Sequence, residues 1–134
     1  MTRDQKNYLG IGLILILTFL LISCTSSPNN APAAVQSYLQ AIVNRDETTL
    51  VNQVCSAWEA DARTEFNSFT AVKLTLDNLT CQESGNDGNY TLVRCQGAII
   101  ASYGAEDLTL ELDERIFRVV QEAGEWRVCG YQGQ

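Results

Sequence analysis

The apolar residues of this chain change their period near residue 70, and that change limits the folds open to it. Before it, Val35, Tyr38, Leu39, Ile42 and Val43 recur at i, i+3, i+4, i+7 and i+8, the stripe of an amphipathic helix. Leu50, Val51, Val54, Cys55 and Trp58 form a second stripe, and the helical character runs on with a kink through Ala62 and Phe66. Asn44-Arg45-Asp46 separates the two stripes. Asp46 can cap the second, and Pro32 suits the first turn of the first. After Thr70 the period is two. Val72, Leu74, Leu76 and Leu79 predict a strand ending near Cys81, and Tyr90 to Ser102 predicts a second. Leu108, Leu110 and Leu112 alternate with Thr109, Glu111 and Asp113 in a third, continuing through Val120; Trp126 to Tyr131 is the last. Turn chemistry fills the gaps at 84–89, 104–107 and 122–125. Helices first and an antiparallel meander after is the α+β order. The expectation is N-terminal helices packed on a curved antiparallel sheet of about four strands.

The N-terminus reads as an address. Arg3 and Lys6 precede an apolar run from Leu9 to Ile22, shorter than the roughly 20 residues of a spanning helix. Leu21-Ile22-Ser23-Cys24 at its end resembles the bacterial lipobox. That resemblance implies a diacylglyceryl group on the Cys24 thiol and cleavage between Ser23 and Cys24. The competing reading is an uncleaved membrane anchor with an incidental thiol. The expected organisation is a lipoprotein signal peptide over 1–23, a tether over 24–32 holding both prolines, and a domain over 33–134. The expected location is the extracytoplasmic side of a bacterial cell membrane, held there through the lipid on Cys24.

Residues 24–134 carry 7 basic and 15 acidic side chains, a net of −8. This balance speaks against a nucleic-acid partner, since phosphate contact needs clustered Lys and Arg. The absence of histidine excludes Ser-His-Asp and Cys-His catalysis and any His-ligated metal. Setting Cys24 aside leaves four cysteines, an even number suited to an oxidising compartment, with three pairings open. Their spacing fits no common zinc pattern, and no metal site is expected. The preferred pairing is Cys81–Cys95, across the Gly/Asn turn, and Cys55–Cys129, pinning the second helix to the last strand. A tight two-residue hairpin would not place Cys81 opposite Cys95, so that bridge requires a longer loop or a bulge. Glu106-Asp107 and Glu111-x-Asp113-Glu114 read as a solvated acidic strand face rather than a calcium loop. Asn78-Leu79-Thr80 and Asn89-Tyr90-Thr91 match the glycosylation sequon, a coincidence in a bacterial lipoprotein.

The two N-terminal helices, the Asn44-Arg45-Asp46 joint and the ending Gly124-Glu125-Trp126-Arg127-Val128-Cys129 resemble the ketosteroid isomerase and nuclear transport factor superfamily, also called cystatin-like. The resemblance covers about residues 33–131 and implies a half-barrel with a space between sheet and helices. Tyr38, Trp58, Phe66 and Trp126 are the candidates to line such a pocket. No aspartate falls on a motif matching the isomerase base, and the superfamily's dehydratases rely on histidine. The expected role is therefore a non-enzymatic binding or interaction domain without a cofactor. Its partner would be an envelope protein, or a second copy through the open sheet face. The alternatives are small-molecule binding in the half-barrel and, third, a lyase- or isomerase-like enzyme.

Overall fold

The computed structural model describes residues 29–133. The expected signal peptide, Cys24 and most of the expected tether lie outside the described residues. Helix α1 spans Ala31–Asn44, so the helix begins inside the segment expected to be tether. The Asn30 side chain accepts from the Ala33 amide at 2.9 Å, and Pro32 occupies the first turn, where a missing N–H costs nothing. The helix ends at Arg45, which takes a left-handed conformation (φ 60°). Its guanidinium holds it there by donating to the carbonyl of Val72 at 2.8 Å and to that of Phe66 at 3.4 Å. Asp46 then starts helix α2, Glu47–Gln53. Its carboxylate accepts from the Thr49 amide at 3.0 Å and the Thr49 hydroxyl at 2.6 Å. Those bonds hold its pKa below the ordinary value.

The second apolar stripe does not run on as one kinked helix. It stops at Gln53, and helix α3, Glu59–Ser68, starts afresh. Between them Val54 leaves the helix to form a parallel bridge with Val128, and the Cys55 amide donates to the Val128 carbonyl at 2.9 Å. Cys55 therefore sits beside a strand edge, not on a helix. A backbone bond and a disulfide at the same point outweigh the helical preference of the stripe.

The sheet has five strands rather than about four: β1 Lys73–Asp87, β2 Tyr90–Tyr103, β3 Glu106–Glu111, β4 Arg115–Glu122 and β5 Glu125–Gly133. β1 runs well past Cys81, and the first turn shrinks to Gly88-Asn89. The expected long third strand is split. Its first part, β3, pairs with residues 98–103 of β2, and its second, β4, pairs with residues 91–94. The break falls at Leu112, whose amide donates to the Gly97 carbonyl at 3.0 Å and whose side chain is fully buried. In the neighbouring strand the register slips at the same level, with Asn78 and Leu79 set against Gly97. Gly97 has φ +101°, and a Cβ there would stand 2.3 Å from the Asp77 carbonyl oxygen, so only glycine fits. The bulge on β1, Gly97 on β2 and the corner at Leu112 form one line along which the sheet bends.

Helix α1 lies across the concave face against β1, β2, β4 and β5. Its Val35, Tyr38, Leu39 and Ile42 meet Val93, Ile99, Phe117, Val119 and Val128 in a core closed to solvent. At about 25 cal/mol per Å² of apolar surface, each such side chain contributes roughly 1.5–3 kcal/mol on burial.

Both disulfides join the expected partners, Cys55–Cys129 and Cys81–Cys95. The second depends on a bulge. Asp87↔Tyr90, Asn86↔Thr91 and Gly85↔Leu92 pair in the register of the two-residue turn, which would set Cys95 opposite Gln82. One residue, Ser84, is then left out of the ladder, and Cys81 falls opposite Cys95 with Cα atoms 4.1 Å apart.

Candidate functional site

The carboxylate of Glu65 is largely enclosed by the fold, with 15% of its side-chain surface exposed. It projects from α3 on the face that also carries Ala62 and Phe66, both buried. Its Oε2 accepts from the Tyr38 hydroxyl at 2.6 Å, from α1. Its Oε1 accepts from Arg115 at 3.0 Å, from the start of β4, and from the Tyr131 hydroxyl at 3.2 Å, from β5. One carboxylate thus ties together four elements. Arg115 and Glu65 keep only 22% and 15% of their side-chain surface, so their ion pair is far less screened than an exposed one.

Aromatic rings build the wall of this site. Trp58 tilts against Tyr38 with centroids 5.5 Å apart and meets Tyr131 edge-on at 5.9 Å. Tyr131 packs on Phe117 at 5.7 Å, and the Arg115 guanidinium sits 4.4 Å over the Tyr131 ring. Alternation explains how Arg115 arrives here: residues 115, 117 and 119 share the face of β4 that carries the buried Phe117 and Val119.

The environment disfavours ionisation of both tyrosines. Burial pushes the Tyr38 phenol far above its ordinary range, and the neighbouring Glu65 charge adds to that. Tyr131 is raised for the same two reasons in the same order. A group whose folded pKa lies above its unfolded value stabilises the fold fully below the unfolded pKa. That contribution is lost as pH rises toward the folded value. The window here opens near the ordinary tyrosine value of 10.0. The domain is therefore expected to unfold progressively more easily above about pH 10, with a slope that reflects tyrosines. Tyr38→Phe should flatten that slope in a denaturant series at pH 9 to 11; an unchanged slope would contradict the assignment.

Chemically, the cluster holds a charge in place. A general base needs a lone pair aimed at a proton to be abstracted, and the Glu65 oxygens face Tyr38, Arg115 and Tyr131. The geometry fits a latch between helices and sheet.

The four expected pocket residues do not gather around one cavity. Tyr38 and Trp58 meet in the aromatic wall. Tyr38 is fully buried, and Phe66 is packed into the core. Trp126 lies elsewhere and lines a surface cleft of about 440 Å³ whose lining includes none of the other three. The sequence reading passed over Glu65, Arg115 and Tyr131. The signals for them were a carboxylate sharing a helix face with Ala62 and Phe66, and an arginine in phase with Phe117 and Val119. The expected disulfide cysteines are paired as predicted, with Cys55 beside a strand edge rather than on a helix, whereas Cys24 lies outside the described residues. Among the described residues no group of three or more Cys, Asp or Glu side chains is placed to hold a metal ion. Among them, too, no helix is long and apolar enough to cross a membrane.

No protein-family model and no curated protein matches this chain. Solved structures do. A SEC-C motif-containing protein from Rhodopseudomonas palustris aligns with a TM-score of 0.56 at 13% identity, over 82% of this chain and 83% of its own. The likeness is one of fold. The helical cell shape determining protein Pgp2 from Campylobacter jejuni aligns with a TM-score of 0.49 at 13% identity, over 75% of this chain and 38% of its own. Aln2 from a Streptomyces species follows at 0.46 and 12% identity, over 73% of this chain and 82% of its own. At such identities the shared architecture says nothing of activity, because one fold serves many functions.

Proposed function

We propose that this chain is a lipid-anchored, extracytoplasmic binding or interaction domain of a bacterial envelope, built on the cystatin-like half-barrel of the ketosteroid isomerase and nuclear transport factor superfamily. The observation that carries the reading is the cysteine economy. Two disulfides use Cys55, Cys129, Cys81 and Cys95 within the folded domain. The fifth cysteine, Cys24, stands at the end of the apolar run in Leu21-Ile22-Ser23-Cys24. Disulfides persist in oxidising compartments, which supports a site outside the cytoplasm. The excess of acidic residues keeps such a domain soluble and disfavours its lying flat on anionic lipid.

Binding is favoured over catalysis because the largely enclosed carboxylate of Glu65 has both oxygens engaged by Tyr38, Arg115 and Tyr131. A protein partner is favoured over a ligand inside the half-barrel because Tyr38, Leu39, Ile42 and Phe117 fill the space between helix and sheet.

Intact mass under denaturing conditions tests the anchor, on protein extracted from its host's membranes. The expected mass lacks residues 1–23, gains an acylated glyceryl group and is lower by four thiol hydrogens. A Cys24→Ala variant should accumulate as unprocessed precursor. An unmodified mass that retains residues 1–23, or unchanged processing of Cys24→Ala, would overturn the reading.

A further inference from the structure

Helix α1 carries no charged residue in its 14 positions, although it lies at the surface of a strongly acidic domain. Surface helices ordinarily turn charged side chains to water. Here the outward positions are Gln36, Ser37, Gln40 and Asn44. They line one side of a cleft whose other side is made by Gln53 of α2 with Glu125 and Trp126 of β5 and, further along, by Asp46 and Thr49. At one end the cleft has a volume of about 440 Å³ and is lined by Asn29, Gln36, Ser37, Gln53, Glu125 and Trp126, among others. It continues past the shared Gln36 and Ser37 into a stretch of about 340 Å³ that adds Gln40, Asn44, Asp46 and Thr49. Among the described residues neither stretch is lined by Lys or Arg. The two acids are Glu125, at the rim, and Asp46, whose carboxylate already accepts from Thr49.

The chemistry of this lining selects its occupant. A carboxamide offers donors and an acceptor on one planar group, which matches hydroxyls that also do both. Among the described residues the lining has no cation to neutralise a phosphate or carboxylate ligand, and the exposed carboxylate of Glu125 would repel one. The half-buried Trp126, packed against the core, brings an apolar ring to the lining beside the polar strip. We propose that the α1–α2 cleft binds a neutral oligosaccharide, with one sugar ring against Trp126 and the following hydroxyls on Gln53, Gln36 and Gln40. The site is distinct from the Glu65 cluster and does not depend on how the chain is anchored.

The test is NMR titration of the full chain, kept in a polyoxyethylene detergent that has no sugar headgroup. The probes are cellotetraose, chitotetraose and the anionic tetragalacturonate. Saturable shifts of the Gln36, Gln40 and Gln53 side-chain amides and of the Trp126 indole N–H are expected with at least one neutral sugar. The galacturonate should bind at least roughly tenfold more weakly. Gln36→Ala with Gln53→Ala, both at the surface, should weaken binding roughly tenfold while leaving the fold intact. Trp126→Ala should do the same if it folds. The proposal is overturned if neither neutral sugar moves those signals, if galacturonate binds as well, or if the double glutamine variant binds like the parent.

Discussion

Removing the Cys55–Cys129 bridge, by Cys55→Ala together with Cys129→Ala, is expected to destabilise the domain by about 4.4 kcal/mol in the loop-entropy model. The sequence separation of 74 residues sets that figure, because closing a long loop removes more freedom from the unfolded chain than closing a short one. The Cys81–Cys95 bridge closes a loop of only 14 positions, and its removal should cost about 3 kcal/mol. Small domains hold roughly 5–15 kcal/mol in all, so the first pair of substitutions takes a large share. The native structure contributes as well. The bridge lies beside the point where Cys55 donates to Val128 and Val54 pairs with it, which is what ends α2 and turns the chain toward α3. Guanidinium unfolding of the three forms checks the ranking. The denaturant slope should also rise in the Cys55/Cys129 variant, since its unfolded state exposes more surface. A smaller loss than that of the Cys81/Cys95 variant, at unchanged slope, would contradict the argument.

That pairing was legible because Cys81 and Cys95 flank one turn, which leaves Cys55 of the helical half for Cys129 on the last strand, although Cys55 sits beside a strand edge and not on the helix expected to carry it. The bulge that Cys81–Cys95 requires was legible from register, since a two-residue turn sets those cysteines one position out of phase. Its place was not. Ser84 and the glycine after it read as turn residues, and only the pairing ladder distinguishes a turn from a bulge beside one. The split of the third strand failed for a related reason. Leu112 keeps the alternation of Leu108 and Leu110, so the pattern shows no break. What bends the chain there is a hydrogen bond to Gly97 on another strand. The end of α2 at Gln53 is also imposed from a distance, by Val128. Local period records which face of an element is apolar; it does not record where a neighbour interrupts it.

Glu65 was hidden in the same way, because a carboxylate in a helix reads as solvated unless its neighbours in space are known. Glu65→Ala is expected to cost about 2–3 kcal/mol, since removing one member of an enclosed ion pair strands the rest. The stranded groups are the Tyr38 hydroxyl, which has no path to water because Tyr38 is fully buried, and the Arg115 guanidinium, still 22% exposed. That residual exposure keeps the cost below the range for a fully buried pair. Glu65→Gln should cost less, because it keeps an acceptor for one phenol while discarding the charge. Replacing Glu65 and its two more enclosed partners with apolar groups tests whether stranding is the cause. Glu65→Leu combined with Arg115→Met and Tyr38→Phe should recover most of what Glu65→Ala loses, since the one donor then left, the Tyr131 hydroxyl, belongs to an exposed residue and can turn to water. Chemical denaturation at pH 7 measures all three. If Glu65→Ala is silent, the carboxylate is not the latch between α3 and the sheet. If the triple variant is no better than Glu65→Ala, the loss comes from the packing of the side chain, and the hydrogen bonds to Tyr38, Arg115 and Tyr131 are incidental to it.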